Sequence, residues 1–284
     1  MRVAFVGLGV MGFPMAGHLA GAGHEVAVFN RSPQKAQAWA SQHAGRAAAT
    51  IAEAAEGAEI VFLCVGNDDD VRGVVAQALP AMAAGGIIVD HTTTSATVAK
   101  EMAALAEEGG RWFVDAPVSG GQAGAENGQL TIMCGGDDAA YARAEPVMAA
   151  FAKASRLMGG PGAGQLTKMV NQICIAGVVQ GLAEAMHFAK RAGLDPLEVA
   201  AAISKGAAQS WQMDNRWTTM AENRFDFGFA VDWMRKDLGL VLDEAASNGA
   251  KLDMTALVDG YYAEVQALGG ARWDTSSLVA RLEK

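Results

Sequence analysis

Short, unbroken apolar runs punctuate the first part of the chain. They are Val3-Ala4-Phe5-Val6, Val26-Ala27-Val28-Phe29, Ile60-Val61-Phe62-Leu63-Cys64-Val65, Ile87-Ile88-Val89 and Trp112-Phe113-Val114. Each is rich in β-branched or aromatic residues and shows no polar alternation, the pattern of strands buried on both faces. Helix-forming segments separate them, at 14–22, 33–43, 68–84 and 95–108. This alternation predicts a doubly wound parallel sheet covered by helices on both sides. Beyond the glycine-rich break Gly159-Gly160-Pro161-Gly162-Ala163-Gly164 the pattern changes to helical periods only. One long helix is expected over 165–192, closed by Gly193, with further helices over 195–205, 211–223, 232–248 and 255–268.

The expected organisation is therefore α/β. An α/β domain spans 1–163, an interdomain helix 164–193, and an all-helical domain 194–284. A chain of 284 residues exceeds a typical single domain, and 51% hydrophobic against 19% charged residues excludes a disordered chain. The net charge of −9 repels phosphate backbones, so nucleic acid is not an expected partner. The most apolar stretch, 169–186, contains Asn171, Gln172, Gln180 and Glu184, which suits a buried helix better than a lipid-facing one. Cys64, Cys134 and Cys174 are odd in number and widely spaced, and the N-terminus does not fit a secretion signal. A reducing, cytoplasmic setting is expected. His18, His24, His43, His91 and His187 show no ligand spacing, so no metal is expected.

Gly7-Leu8-Gly9-Val10-Met11-Gly12 follows the first strand and opens a helix, the context that gives the G-x-G-x-x-G pattern meaning. Gly7 permits the tight turn, Gly9 lets a pyrophosphate approach the backbone, and Gly12 lets helix pack on strand. The second strand ends in Asn30-Arg31-Ser32, with Asn30 lying 18 residues past Gly12. A carboxylate here would accept from a ribose hydroxyl; an amide, a guanidinium and a hydroxyl suit a 2′-phosphate instead. NADP(H) is the expected cofactor, with NAD possible through stacking of Arg31 on adenine. Two more strand ends, Cys64-Val65-Gly66-Asn67 and Asp90-His91-Thr92-Thr93-Thr94-Ser95, are placed to border the cofactor. His91 is expected to be a neutral spectator.

Two later segments carry candidate chemistry. Asp115-Ala116-Pro117-Val118-Ser119-Gly120-Gly121 follows a strand and offers backbone donors and a hydroxyl, either as an ordinary turn or as a seat for a carboxylate. Lys168, Asn171 and Gln172 share one face of the long helix. A lysine there either snorkels to solvent or has a task. Trp211, Met213, Phe229, Asp232 and Trp233 either wall a pocket or belong to a core or interface.

Taken together, Gly7–Gly12 with Pro14-Met15-Ala16, Asp115–Gly121, Gly160–Gln172, Lys236-Asp237-Leu238 and Asp274-Thr275-Ser276 resemble the β-hydroxyacid dehydrogenase family over nearly the whole chain. That family includes 3-hydroxyisobutyrate dehydrogenases, tartronate semialdehyde reductases and glyoxylate/succinic semialdehyde reductases. The resemblance implies a Rossmann domain joined to a helical domain by a long helix, with dimers or tetramers formed through the helical half. It implies Lys168 as the catalytic residue and Ser119, Gly120, Gly121 and Asn171 as substrate-binding, with Gln172 at a position where many members carry Asn. It further implies that Thr93 lies beside the nicotinamide ribose and that Lys236 reaches the cofactor, alongside Gly7, Leu8, Gly9, Val10, Met11, Gly12, Asn30, Arg31, Ser32 and Val65. The expected substrate is a small carboxylate-bearing semialdehyde, 2-oxoacid or 3-hydroxyacid. An imine reductase shares the architecture, but its members usually replace the lysine that this chain keeps at Lys168. A non-catalytic nucleotide-binding module would also be expected to lose it.

Overall fold

The computed structural model describes residues 1–283; Lys284, the end of the expected helical domain, lies outside the described residues. In chain order the elements are β1 (Arg2–Val6), α1 (Gly12–Gly21), β2 (Glu25–Phe29), α2 (Pro33–Ala40), β3 (Arg46–Ala47), α3 (Ile51–Ala55), β4 (Ile60–Leu63) and α4 (Asp68–Ala78). Then come β5 (Ile87–Asp90), α5 (Ala96–Glu108), β6 (Trp112–Asp115), β7 (Val118–Ser119), α6 (Gly121–Glu126), β8 (Leu130–Cys134), α7 (Asp138–Met148) and β9 (Ala152–Leu157). Helices follow: α8 (Ala163–Arg191), α9 (Pro196–Ile203), α10 (Trp211–Ala221), α11 (Val231–Asn248) and α12 (Asp253–Ala267), ending in a 3₁₀ segment, Thr275–Leu282. Contacts gather these into two compact units, Met1–Lys168 and a second beginning at Met169.

In the first unit six parallel strands lie in the order β3-β2-β1-β4-β5-β6. The order reverses between β1 and β4, the switch point where open α/β sheets bind ligands at their carboxyl ends. Strand alternation sorts the core. Val3, Phe5, Val28, Phe62 and Val89 face α1, α2 and α7, whereas Ala4, Val6, Val61, Leu63 and Ile88 face α3, α4 and α5. Five of the strands match the apolar runs. The structure adds β3 and a second sheet, β7-β8-β9, in which β7 and β8 are antiparallel, so the unit is not purely parallel. β9 is built from AKASRL, with mostly exposed or half-buried side chains, and carries no apolar run to announce it.

Helix starts follow side-chain chemistry. Asn67 accepts from the N–H of Asp70 at the start of α4, and Ser95 from Val98 at the start of α5. The second unit is helical, with Ala176, Val179, Leu182, Ala183 and Met186 of α8 packing among Met213, Trp217, Met234, Leu238, Val258 and Tyr262. The third-turn face of α8 is thus a core stripe, although the helix is long and apolar enough to cross a membrane by length and composition.

Candidate active site

The loop after β1 has the geometry that its glycines imply. Gly7 adopts φ 100°, and a Cβ there would overlap the Cys64 carbonyl, while one on Gly12 would overlap the carbonyl oxygen of Gly7. A Cβ on Gly9 meets nothing within 4 Å. That open space lies beside the start of α1, whose N-cap position, Met11, makes no side-chain capping bond. Uncapped N–H groups and a side-chain-free approach fit a pyrophosphate. Leu8 is buried and Val10 exposed.

Asn30 supports this loop from β2. Its Oδ1 accepts from the N–H of Leu8 at 2.8 Å, and its Nδ2 donates to the carbonyl of Ser32 at 3.1 Å. Asn30, expected among the cofactor-binding residues, thus braces the Gly7–Gly12 loop. Arg31 is 90% exposed, with Nη1 3.6 Å from Asp70 Oδ1. Ser32 stands at the N-cap of α2 without a side-chain capping bond. At the end of β4, the N–H of Val65 donates to Thr92 Oγ1 at 3.0 Å.

The start of α8 is tied to the end of β6 and to the turn after β5 by two residues whose roles spacing alone does not reveal. The Asp115 carboxylate, fully buried at the end of β6, accepts from the N–H of Gly162 at 2.8 Å and of Gln165 at 2.9 Å. Burial pushes its pKa up to about 6, against the backbone donors that favour the charged form. The buried Gln165 side chain accepts from the N–H of Thr94 at 3.0 Å and donates to the carbonyl of Thr92 at 2.7 Å. Thr93, half-buried, lies between those two contacts.

One turn further along α8, Lys168 is 7% exposed and its Nζ donates to the carbonyl of Val118 at 3.0 Å. The next residues in the chain are Ser119, Gly120 and Gly121, where β7 passes into α6 with φ 133° at Gly120 and 62° at Gly121. The first unit therefore places a buried amine against the segment expected to hold a carboxylate. His18 of α1 secures the far end of α6, its Nε2 donating to the carbonyls of Ala125 and Glu126 at 3.0 and 3.1 Å.

Within the second unit, Asn171 Nδ2 donates to Gln172 Oε1 at 2.8 Å, and Gln172 Nε2 donates to Asp237 Oδ2 at 2.7 Å. Lys236 Nζ lies 3.2 Å from Asp237 Oδ1. Gln172 is 2% exposed and Asp237 3%. The amide of Gln172, expected among the substrate-binding residues, thus bridges Asn171 and Asp237. Asp237 belongs to this constellation, although within Lys236-Asp237-Leu238 the sequence alone assigns it no role. Met213 belongs to the core, whereas the exposed Trp211 and Trp233 rings carry cations, Arg216 at 4.9 Å and Lys236 at 5.9 Å.

His91 is buried, stacked on Phe62 at 5.8 Å, with Phe151 edge-on at 5.4 Å. Its Nδ1–H donates to the carbonyl of Ala116 at 2.7 Å, and burial lowers its pKa to about 4. It is neutral near pH 7 and far from a proton-transfer pKa. Among the described residues no group of three or more His, Cys, Asp or Glu side chains is placed to hold a metal.

Comparison with known proteins gives the family of the chain. Residues 2–173 match a family model described as the NAD binding domain of 6-phosphogluconate dehydrogenase. Residues 162–282 match one described as NAD-binding of NADP-dependent 3-hydroxyisobutyrate dehydrogenase. The chain is 63% identical to an uncharacterized oxidoreductase of Shewanella frigidimarina, with 100% of this chain and 98% of that protein covered. It is 35% identical to the 2-hydroxy-3-oxopropionate reductase of Escherichia coli, covering 100% and 97%. Among solved structures, Mycobacterium tuberculosis 3-hydroxyisobutyrate dehydrogenase with L-serine aligns at a TM-score of 0.91 and 34% identity, covering 99% of both chains. The likeness extends through the dinucleotide loop, the lysine helix and the helical unit alike, and the chain belongs to the β-hydroxyacid dehydrogenase family of NAD(P)-dependent oxidoreductases.

Proposed function

We propose that the enzyme interconverts a small carboxylate-bearing semialdehyde or 2-oxoacid and its hydroxyacid, with NADP(H) preferred and Lys168 as general acid and base. The observation that carries this reading is the buried Lys168 amine, 3.0 Å from the Val118 carbonyl and next in line to Ser119-Gly120-Gly121. The bound nicotinamide would supply or accept the hydride. Gly7, Gly9 and Gly12, with the first turn of α1, would hold its pyrophosphate, and Thr93 and Val65 would border it.

The chain's own work is binding and proton movement. Ser119, Gly120 and Gly121 hold the substrate carboxylate through hydroxyl and backbone donors, which fixes the reacting carbon. In reduction, the Lys168 ammonium stabilises negative charge growing on the carbonyl oxygen and then gives it a proton. In oxidation, the neutral amine takes the hydroxyl proton. The Val118 carbonyl keeps Nζ from swinging away between turnovers. Asn171, on the same helical face, is assigned to substrate orientation, and Lys236 to the cofactor.

The test is a panel of small semialdehydes, 2-oxoacids and hydroxyacids against both cofactors. Turnover of acids bearing a carbonyl or hydroxyl one or two carbons from the carboxylate is expected. Turnover of cyclic imines with none of the acids would reassign the enzyme.

Cofactor preference is supported by Arg31 and by the absence of a carboxylate at Asn30-Arg31-Ser32. Arg31→Ala is expected to lower kcat/KM with NADPH roughly 10–100-fold, the worth of a charge-assisted hydrogen bond, while leaving the NADH value nearly unchanged. Equal losses with both cofactors would remove the assignment of Arg31 to the 2′-phosphate. A homo-oligomer assembled through the helical unit is supported by the exposed apolar side chains Phe188, Leu194 and Leu197. Light scattering giving a mass near 29.4 kDa would exclude it. A cytoplasmic location is supported by three cysteines that form no disulfide.

A further inference from the structure

We propose that Gln165 is a positioning residue for hydride and proton transfer, fixing the Thr92–Thr94 turn to the helix turn that bears Lys168. The inference rests on the reading of Lys168 and Thr93 given above. Its basis is the way one buried amide straddles Thr93. Nε2 donates to the carbonyl before Thr93 and Oε1 accepts from the N–H after it, so both flanking peptide groups are held from one side chain. The backbone N–H of Gln165 is itself anchored on Asp115 Oδ2. Thr92 is further tied through its own N–H to Asp90 Oδ1 at 2.9 Å and through Oγ1 to Val65.

The amide meets two buried backbone groups, the Thr94 N–H and the Thr92 carbonyl, which an apolar side chain would leave unpaired at a cost in stability. The amide also adds direction. Thr93 and Lys168 lie more than seventy residues apart, and Gln165, one turn before Lys168 on α8, bonds both neighbours of Thr93. Through it, the cofactor-facing turn and the proton-carrying amine keep one spacing. A misplacement of about 1 Å at a reacting centre can cost on the order of 10²-fold in rate.

Three variants test this. Gln165→Leu removes both side-chain bonds. Gln165→Glu keeps the acceptor for Thr94 but sets a carboxylate against the Thr92 carbonyl, and protonation of the introduced carboxyl restores a donor. Thr167→Val removes a hydrogen bond from Thr167 Oγ1 to the Ala163 carbonyl in the same turn, without touching the 92–94 segment.

For Gln165→Leu a kcat roughly 10–100-fold lower is expected, with the acid's KM little changed and a larger primary deuterium isotope effect. Without cofactor, the Thr94 amide exchanges faster with solvent deuterium. NADPH binding, followed by its fluorescence, weakens several-fold. For Gln165→Glu, activity relative to wild type climbs as pH is lowered. Thr167→Val keeps wild-type kcat and isotope effect.

Folded Gln165→Leu with wild-type kcat and isotope effect would overturn the proposal, as would the same losses in Thr167→Val. If Gln165→Leu does not fold, the pH dependence of Gln165→Glu decides, and a flat ratio to wild type is the adverse result. Should Lys168→Ala prove active, the underlying reading fails. Thr94 exchange would then still report whether Gln165 fixes the turn.

Discussion

Lys168→Ala is expected to lower kcat roughly 10²–10⁴-fold in either direction, the usual share of a positioned proton-transfer group, with KM for the acid changed far less. The split between kcat and KM matters because a lysine that only attracted a carboxylate would show the opposite pattern. Its amine is buried and bonded to the Val118 carbonyl, so the truncation also leaves that acceptor poorer by one donor. The stability cost of that loss is about 1–3 kcal/mol, which a melting curve separates from the kinetic effect. Lys168→Arg is expected to fail as well. A guanidinium keeps the charge but does not give up its proton near neutral pH, and its planar fork does not replace a compact ammonium. A folded Lys168→Ala enzyme with kcat within about threefold of wild type contradicts the 10²-fold minimum expected of a proton-transfer group. The search for the acid would then move to other groups.

Much of the first unit was legible because its code is local. Strands buried on both faces must be apolar throughout, and the phosphate loop needs its glycines at fixed spacing. The β7-β8-β9 sheet escaped for a physical reason. β9 exposes much of its surface and β7 is two residues long, so neither leaves a hydrophobic signature. The same division runs through the candidate site. Lys168 stood out as a lysine in an apolar helix. Gln165 and Asp237 did not, because their meaning lies in bonds to residues 73 and 65 positions away. Asn30 shows the converse. Its position past the glycine loop marked it as a cofactor-binding candidate, and its bonds to Leu8 and Ser32 carried no signal in the sequence. Short polar side chains near a ligand serve the loop's own backbone first, because an unmet N–H there would disorder the turn.

Acid stability offers a second large effect, from two buried groups that oppose each other. His91 titrates near 6.5 when unfolded and about 4 in the fold, because burial penalises its cation. Between those values the unfolded chain binds a proton that the folded chain refuses. His91's contribution is therefore complete above pH 6.5 and is lost as pH falls toward 4, by roughly 3 kcal/mol. Asp115 runs the other way. Its pKa rises from 3.8 to about 6, so the fold holds a proton that the unfolded chain has released. That contribution is complete below pH 3.8 and is lost as pH rises through about 6, again by roughly 3 kcal/mol. Over pH 4–6 the two slopes nearly cancel in the wild type. Removing one exposes the other. The stability of wild type minus that of His91→Phe, measured by urea unfolding at each pH, is expected to grow by roughly 3 kcal/mol from pH 4 to 6.5. A constant offset, such as the lost bond to the Ala116 carbonyl, shifts that difference without tilting it. Wild type minus Asp115→Asn is expected to fall by a similar amount from pH 4 to 6. A pH-independent difference for His91→Phe would mean that the imidazole is protonated in the fold, against its apolar stack between Phe62 and Phe151.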